Sequence, residues 1–410
     1  MKVEKCKWFN NADSPVMLMI DDLANAWVDI NGNNSIDHGE SWGYADDYRI
    51  SPVYFLKEKI LRDYPYVKTT FFIPVNRVPE TSDHKLSAHF ASIKETPEVL
   101  EFFRTTFHTP SFEAAYHGFT HGISGNRNRK FIQEWESFES VEQAVEQTAR
   151  GREMFREVFG YYPLGGKYCG YKKNAFSDES IDKSSFLWWC RHWSPSLSVE
   201  NGECETDRFE LGYFGDNHVI DMPSTIVGSL FNFKEEGRFR KKVKKMLGRK
   251  SYTHDEIIES GLTQIENLIK HRQIISIQEH SSPARTDNKR QTPNIYDDAE
   301  SLKLIFSFLK KRNCWYATAT EIASYFEMYN RSSIKITDDL SFAITYTGRQ
   351  LRENYLSVFI DTAENIHTLH LPDGKKLKLE NQDGQQGRIF VPYLPVQQGT
   401  YKLEKKHEYA

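Results

Sequence analysis

The stretch Met17-Leu-Met-Ile-Asp21-Asp22 decides the fold, because an apolar run ending in two carboxylates is typical of a buried strand that leads into a functional site. Later in the chain, Ala115-Tyr-His117-Gly-Phe-Thr-His121 places two histidines four residues apart. On a helical turn or compact loop, residues at this spacing share a face, so both imidazoles can bind one cation. Together the two fragments predict a metal ion beside a general base, as in a hydrolase.

The two carboxylates point in different directions where the chain leaves the strand, so they can take different roles. One can bind the metal while the other accepts a proton from the attacking water. For the dipeptide alone, a simple cap on the following segment is an equally good interpretation. The histidine pair shifts the balance toward a metal site.

Around these fragments, short apolar runs alternate with longer amphipathic segments, a pattern typical of parallel strands joined by helices. The predicted strands are residues 16–20, 69–74, 114–116 and 274–278. The predicted helices are residues 140–159, 254–269 and 297–311. A barrel and an open doubly wound sheet both fit, and in either one the site lies at the carboxyl ends of the strands.

Past Tyr329 the pattern changes to short alternating strands separated by Pro372-Asp-Gly and Gln382-Asp-Gly turn signals. This predicts a small antiparallel β-sandwich, with packing favoured over carbohydrate binding as its role. We therefore predict two domains, an α/β catalytic domain at residues 1–330 and a C-terminal β-sandwich domain at residues 331–410.

Composition limits the classes of partner and compartment. Among the 410 residues, 53 Lys+Arg oppose 57 Asp+Glu, so the net charge of -4 gives no general affinity for nucleic acid. The N-terminus lacks the apolar stretch of a signal peptide and no long uncharged apolar run follows, which predicts a soluble, cytoplasmic protein. The 5 cysteines are scattered without C-x-x-C spacing, which predicts reduced packing residues rather than disulfides or a thiolate zinc site.

The motifs resemble those of the polysaccharide deacetylase family, the NodB-like carbohydrate esterases. The family's first motif matches Ile20-Asp21-Asp22, with Leu23 in place of the usual glycine, and its second matches His117-Gly-Phe-Thr-His121. Thr70-Phe-Phe-Ile resembles the strand between them, and Phe159-Gly-Tyr-Tyr-Pro163 resembles the lead-in to the third motif. The resemblance covers residues 14–325 and implies a deformed (β/α) barrel.

The resemblance also implies roles for particular residues. Asp21 is expected to be the general base, while Asp22, His117 and His121 hold a divalent metal, most often zinc and in some members cobalt or nickel. His280, at the end of a later apolar strand, is expected to be the general acid that stabilises the oxyanion and protonates the leaving amine. The implied reaction removes an acetyl group from an N-acetylated sugar of a glycan, a glycoconjugate or its precursor, with O-acetyl substrates second.

The third and fourth family motifs are altered in this chain. Where the family has Arg-x-Pro-x-Gly, this sequence has Lys167-Tyr-Cys-Gly-Tyr171, so a lysine point charge replaces a bidentate guanidinium. The usual aspartate of motif four is absent from residues 186–193, which leaves Arg191 as a candidate charge partner for the base. Aromatic faces and polar groups can line a sugar cleft, although ordinary core packing explains the aromatics equally well. The predicted substrate-binding residues are Lys167, Tyr168, Tyr171, Trp189 and Arg191.

A second metal signal lies between residues 29 and 40. Oxygen-bearing side chains occupy positions 1, 3, 5, 7, 9 and 12 of a loop that resembles an EF-hand or dockerin calcium loop, with Asn34 in place of the turn glycine. The candidate calcium ligands are Asp29, Asn31, Asn33, Ser35, Asp37 and Glu40. The alternative is a polar insertion that shapes the substrate mouth.

A basic run at residues 238–250 predicts peripheral contact with anionic lipid or with phosphate groups, although such runs are usually solvated helix faces. Two other functions stay open. One is hydrolysis of a C–N bond in a cyclic amide or imide, a reaction found in the same superfamily, which fits the altered third and fourth motifs. The other is glycan binding without catalysis. The sequence does not predict the sugar or the oligomeric state.

Overall fold

The computed structural model describes residues 1–78, 86–124, 131–192, 209–231, 253–379 and 387–405. The chain forms two compact units, Val16–Thr320 and a second one made of Met1–Pro15 with Glu321–Ala410. None of the described helices combines the length and the apolar character that crossing a bilayer requires. Among the described cysteines, Cys6, Cys169 and Cys190 are buried and Cys314 is partly exposed.

The described strands up to residue 191 are β1 (Lys2–Lys5), β2 (Ser14–Asp21), β3 (Asn25–Val28), β4 (Thr69–Ile73), β5 (Ala88–Ala91), β6 (Phe112–Tyr116), β7 (Gly122–Ile123), β8 (Ile132–Gln133), β9 (Gly165–Lys167) and β10 (Trp188–Cys190). Those between residues 209 and 317 are β11 (Gly212–Phe214), β12 (Val219–Asp221), β13 (Ile226–Val227), β14 (Ile275–His280) and β15 (Cys314–Tyr316). The later strands are β16 (Ser332–Asp338), β17 (Ser341–Tyr346), β18 (Tyr355–Asp361), β19 (Ile366–His370), β20 (Lys376–Lys378), β21 (Arg388–Pro395) and β22 (Gly399–Lys405).

The described α-helices are α1 (Pro52–Phe55), α2 (Pro97–Thr106), α3 (Glu134–Ser137), α4 (Val141–Phe159), α5 (Ser177–Asp182), α6 (His254–Lys270), α7 (Ala299–Leu309) and α8 (Ala319–Arg331). Single helical turns of 3₁₀ or π type occur at Phe9–Asn11, Tyr48–Ile50, Leu56–Ile60, Leu61–Asp63, Cys169–Tyr171 and Gly228–Phe231. The helices predicted at residues 140–159, 254–269 and 297–311 are confirmed as α4, α6 and α7.

The larger unit is a mixed α/β fold built around a large, mostly parallel sheet. Its strand order is β11-β12-β10-β9-β6-β4-β2-β14-β13, and β15 also pairs with β2. Apart from the antiparallel pair β11–β12, every neighbouring pair along this order is parallel. The carboxyl ends of these parallel strands therefore lie at one edge of the sheet.

Burial explains why four strands of this sheet could be predicted from the sequence. All residues of β2 and of β4 are buried, and so is every residue of β14 except the last. A parallel sheet covered on both faces requires such nearly continuous apolar runs. The strands predicted at residues 16–20, 69–74, 114–116 and 274–278 are confirmed as β2, β4, β6 and β14.

Helix α4 shows how the helices of this unit are delimited. The Ser140 hydroxyl accepts the backbone N–H of Gln143, which satisfies one of the unpaired donors of the first turn. Ala144 and Phe155 belong to its buried face. Gly160 ends the helix with a φ of 81°, a left-handed conformation that glycine adopts without steric cost.

A short segment connects strands from the two ends of the sheet order. Strands β12 and β13 are separated in sequence only by residues 222–225, yet they lie near opposite ends of the order. The N–H of Met222, the residue after β12, donates to the carbonyl of Trp189 in β10. The N–H of Thr225, the residue before β13, donates to the carbonyl of Ser276 in β14. One continuous stretch of chain thus hydrogen-bonds to β10 on one side and to β14 on the other.

The smaller unit contains two antiparallel sheets, β1-β18-β21 and β16-β17-β22-β19-β20. Strand β1 pairs with β18, with Lys2 opposite Asp361, and this pairing holds Met1–Pro15 in the unit that contains the C-terminal strands. The sequence analysis placed these first residues in the larger domain, because nothing in their local pattern indicates so distant a partner. Buried side chains of the two sheets include Phe342, Ile344, Leu356, Val358, Ile360, Tyr401 and Leu403.

Candidate functional site

Four strand ends bring the predicted catalytic and metal-binding residues to one edge of the large sheet. Asp21 is the last residue of β2, His117 directly follows β6, Lys167 is the last residue of β9, and His280 is the last residue of β14. These strands lie in one stretch of the sheet order, β9-β6-β4-β2-β14. The parallel arrangement therefore places side chains from distant parts of the sequence at the position where α/β folds carry their sites.

Asp22 and the two histidines converge on one point. Asp22 Oδ1 lies 3.1 Å from His121 Nε2 and 3.5 Å from His117 Nε2. Ligands bonded at 2.0–2.1 Å to a tetrahedral zinc ion are about 3.3 Å apart, so these separations suit one shared ion. Oδ1 is buried and forms no hydrogen bond of normal geometry within the described residues. A metal ion is the partner that this donor set accommodates.

Hydrogen bonds on the side away from this point fix the orientation of His117 and Asp22. His117 Nδ1 lies 3.1 Å from the carbonyl oxygen of Lys167, so Nδ1–H donates to that oxygen and the Nε2 lone pair is left for a metal. The side-chain amide of Gln291 donates to Asp22 Oδ2 at 2.6 Å, which leaves Oδ1 as the free oxygen. Sequence reasoning missed Gln291, which is far from the motifs and becomes a neighbour only through the fold.

The charge state of Asp22 suits a cation ligand. Burial raises the pKa of its carboxyl, but the positive charge of His121 and polar contacts with both histidines lower that pKa by more, to well below its usual range. Conversely, burial lowers the pKa of His121, and the Asp22 carboxylate raises it to a net value above the ordinary one. Asp22 is therefore an anion in the folded protein.

Asp21 is held in a different environment from its neighbour. Its Oδ1 lies 2.7 Å from Lys167 Nζ, and its Oδ2 lies 4.0 Å from His117 Nε2. The Lys167 side chain has no solvent exposure, and its ammonium group also donates to Gln278 Oε1 and faces the ring of Phe72 at 4.1 Å. Lys167 is thus the charge partner of the predicted base. The prediction that it also contacts substrate is wrong, because it is completely buried.

A hydrogen-bonded wall extends from this lysine. The Tyr171 hydroxyl donates to Gln278 Oε1 at 2.7 Å and lies 2.6 Å from the Ser224 hydroxyl. Gln278 is fully buried and was missed by the sequence analysis, although its position two residues before His280 on a strand places both on one face. Tyr171 remains a predicted substrate-binding residue.

His280 lies beside Asp21 in the parallel pair of β14 and β2. Its Nδ1 lies 2.7 Å from the carbonyl oxygen of Pro293, so Nδ1–H donates to that carbonyl and Nε2 is left to exchange a proton. The N–H of Ser281 donates to the carbonyl of Asp21, which continues the pairing past the histidine. This arrangement supports the prediction that His280 is the general acid.

Two predicted substrate-binding aromatics belong to the core instead. Tyr168 and Trp189 are fully buried, and both rings contact Trp135. The prediction that they line the cleft is wrong, because packing against a third large ring leaves neither any accessible surface. The alternative interpretation of the aromatic cluster, ordinary core packing, holds for these two residues.

Arg191 is bound to carboxylates other than the base. Its Nη2 lies 2.7 Å from Asp178 and its Nη1 lies 3.3 Å from Asp221. The suggestion that Arg191 is the charge partner of Asp21 is therefore wrong, since Lys167 has that place. Burial raises the pKa of Asp221 to about 6, although the Arg191 charge lowers it. Arg191 keeps 17% of its side chain exposed and remains a predicted substrate contact.

Cys169 offers a second way to complete a metal set. One nitrogen of each histidine and the Cys169 sulfur lie within 4.8 Å of one another. However, the Cys169 thiol lies 3.1 Å from the His117 carbonyl oxygen and donates to it. Burial raises the pKa of this thiol well above its usual range, and the nearby carboxylates of Glu134, Asp22 and Asp21 raise it further. Because the thiol hydrogen is directed at the His117 carbonyl, Asp22 Oδ1, at 3.1 and 3.5 Å from the two imidazole nitrogens, is the third donor of the predicted set.

The loop predicted to bind calcium closes on itself through hydrogen bonds. Asp29 accepts three backbone N–H groups of the loop, and Glu40 accepts two. The side-chain amides of Asn31 and Asn33 both donate to Asp37 Oδ2. Calcium would need these two amides to turn so that their oxygens face the centre. Calcium binding stays a prediction.

The predicted basic run at residues 238–250 lies outside the described residues, so its suggested contact with anionic lipid or phosphate groups stays a prediction.

Solved structures similar to this chain include polysaccharide deacetylases and related esterases. A polysaccharide deacetylase structure from Mycobacterium smegmatis aligns at a TM-score of 0.47 and 15% identity, covering 84% of this chain and 96% of that one. A family 4 acetyl xylan esterase from Clostridium thermocellum, in complex with a cobalt ion, aligns at a TM-score of 0.35 and 14% identity, covering 75% of this chain and 90% of that one. The Puue allantoinase aligns at a TM-score of 0.40 and 13% identity, covering 78% of this chain and 92% of that one. No family model matches the sequence, and neither does any curated protein.

Each of the three TM-scores is below 0.5 and each identity is at most 15%, so the likeness carries no argument about activity. The functional assignment rests on the geometry of Asp21, Asp22 and the histidines.

Proposed function

We propose that this protein is a divergent member of the polysaccharide deacetylase family, a metal-dependent hydrolase that removes an acetyl group from an N-acetylated sugar. The substrate would be a glycan, a glycoconjugate or its precursor. The observation that carries this proposal is the contrast between two adjacent carboxylates. Asp22 presents a buried oxygen to two imidazoles at 3.5 and 3.1 Å, while Asp21 is bound by the buried Lys167. A ligand and a separate base need such different environments.

Asp22, His117 and His121 would hold the divalent metal. Their carboxylate and imidazole donors suit zinc, and cobalt or nickel is also compatible with them. When bound there, such an ion polarises the acyl carbonyl and favours ionisation of a water molecule.

The remaining residues would handle the protons. With Asp21 Oδ1 held by Lys167, the Oδ2 atom is free to accept a proton from the attacking water. His280 Nε2 would give a proton to the amine nitrogen as the C–N bond of the acetamide breaks, which releases acetate and the free amino sugar. Tyr171 and Arg191 would contribute to substrate binding.

We also infer that the large sheet closes as a deformed (β/α) barrel. The segment at residues 222–225 supports this, because it bonds to β10 and to β14 and so joins both sides of the strand order. For the smaller unit, two antiparallel sheets with buried apolar residues support a β-sandwich. The catalytic domain would then be the larger unit and the sandwich a separate domain.

The proposal is tested by elemental analysis of the purified protein combined with an acetate-release screen. The panel contains N-acetylated nucleotide sugars, oligosaccharides and lipid-linked glycans. We expect a bound divalent metal and acetate release from at least one substrate class. Removal of the metal with a chelator should abolish release, and Zn²⁺ or Co²⁺ should restore it, because the acyl carbonyl is otherwise not polarised.

The same screen distinguishes the other functions. Acetate release that is unaffected by complete metal removal contradicts a metal-dependent mechanism. Ring opening of a cyclic amide or imide without acetate release favours the second candidate. Sugar binding without any turnover favours a glycan-binding protein.

We further propose that the loop at residues 29–40 binds calcium as a structural ion. Calcium at 100 times its dissociation constant should then raise the free energy of unfolding by about 2.7 kcal/mol. Asp37→Ala should remove this effect, because Asp37 is the carboxylate at the centre of the loop. Thermal unfolding with calcium and with magnesium measures it. An identical melting temperature for wild type with and without calcium contradicts the proposal.

A further inference from the structure

The loop between the two histidines is held by a buried glutamate. Glu134, the first residue of α3, accepts the backbone N–H of Phe119 at Oε1 and that of Thr120 at Oε2, each at 2.9 Å. Its own backbone N–H donates to the carbonyl of His121 at 3.1 Å. Three hydrogen bonds therefore tie one residue to three successive positions of the loop.

The local packing leaves little freedom for any other arrangement. Glu134 is 1% exposed, so its carboxylate depends on the two N–H groups in place of water. A Cβ atom at Gly118 would lie 2.6 Å from Glu134 Oε2, and Gly118 has a φ of 90°. His121 is itself in the left-handed region, with a φ of 69°. Such backbone conformations persist only where surrounding contacts determine them.

We propose that Glu134 is a positioning residue that sets the orientation of His117 and His121 and thereby the affinity of their metal site. It does this through the backbone of residues 117–121 and does not bind the ion. This inference rests on the proposed metal site, since the two histidines are its ligands. Outer contacts that orient metal ligands typically change affinity by about 10- to 100-fold when removed.

The test is a titration of the full-length protein with Co²⁺ in competition with a chromophoric chelator. In Glu134→Gln, one acceptor oxygen becomes an NH₂ group that faces a backbone N–H, so a hydrogen bond is replaced by a repulsive contact. We expect Co²⁺ to bind about 10- to 100-fold more weakly than in wild type. We also expect the d–d absorption spectrum of bound cobalt to change, because this spectrum reports ligand geometry.

Two further variants make the test specific. Glu139→Gln changes an exposed glutamate nearby and should leave both affinity and spectrum as in wild type. Glu134→Asp keeps the charge but should also weaken Co²⁺ binding, because the shorter side chain cannot hold the N–H groups of Phe119 and Thr120 in the same position. Denaturant unfolding of each metal-free variant shows that the fold is retained, and Glu134→Asp decides the matter if Glu134→Gln does not fold.

The outcomes separate this inference from the proposed function. Wild-type affinity and spectrum in Glu134→Gln overturn the positioning role and leave the metal site standing. Wild-type protein that fails to bind Co²⁺ overturns both. Weaker binding and an altered spectrum in Glu134→Gln, with Glu139→Gln unchanged, support the positioning role.

Discussion

Lys167→Met is expected to lower kcat for acetate release by a factor of about 10² to 10⁴, the contribution typical of general-base catalysis. Methionine preserves the apolar stem of the side chain but removes the ammonium group that lies 2.7 Å from Asp21. Asp21 then lacks the countercharge and the hydrogen bond that orient it inside the protein.

The same substitution should also destabilise the fold. Removing one partner of a buried ion pair typically lowers the free energy of unfolding by about 3 to 5 kcal/mol. The double variant Lys167→Met with Asp21→Asn carries no uncompensated charge, so it should recover much of this stability without recovering turnover. Steady-state kinetics and denaturant unfolding of the two variants separate the catalytic effect from the structural one.

Lys172→Met is the matched control for Lys167→Met, because Lys172 is exposed and lies five residues further along the chain. It should leave kcat and stability at wild-type values. Unchanged kcat and unchanged stability in Lys167→Met would show that the buried lysine neither supports the base nor balances its charge.

The parts of the fold that were predicted correctly are those with a strong local signal. Strand β2 is apolar over its whole length because both faces are covered, and α4 carries its own start and stop residues. Strand β9 could not be predicted, since Gly165 and Gly166 disfavour strands. Tertiary contacts require these two glycines, because a Cβ atom at Gly165 would lie 2.0 Å from the Trp188 ring and one at Gly166 would lie 2.4 Å from the Trp189 ring.

In the candidate site, too, the residues with a local sequence signal were predicted and the others were not. Spacing and resemblance were sufficient to select Asp22, His117 and His121, which the fold brings together. The residues that orient them were not predictable, because Glu134 at the start of helix α3 and Gln291 in a loop both lie outside the motifs. Whether an aromatic side chain near the site is buried or exposed could not be predicted from the sequence either. An aromatic residue beside a motif can line a cleft or fill the core, and only the tertiary contacts of Tyr168 and Trp189 decided for the core.

The substitutions Asp22→Asn and Asp21→Asn, made separately, are expected to distinguish metal binding from proton transfer. Asp22→Asn removes the charge of a metal ligand and should weaken metal binding by more than about 100-fold, since even outer contacts are worth 10- to 100-fold. Asp21→Asn should retain the metal and lower kcat by a factor of about 10² to 10⁴. Elemental analysis and acetate release, measured on both variants, give the two readouts.

The expected difference follows from what each carboxylate contacts. Asp22 Oδ1 faces two imidazole nitrogens, whereas Asp21 Oδ1 faces an ammonium group, so each substitution affects one partner set. Asp63→Asn, at an exposed position of the same unit, should change neither readout. Loss of metal in Asp21→Asn together with full metal in Asp22→Asn would reverse the two roles. Full metal and full turnover in both variants would remove this pair from the mechanism.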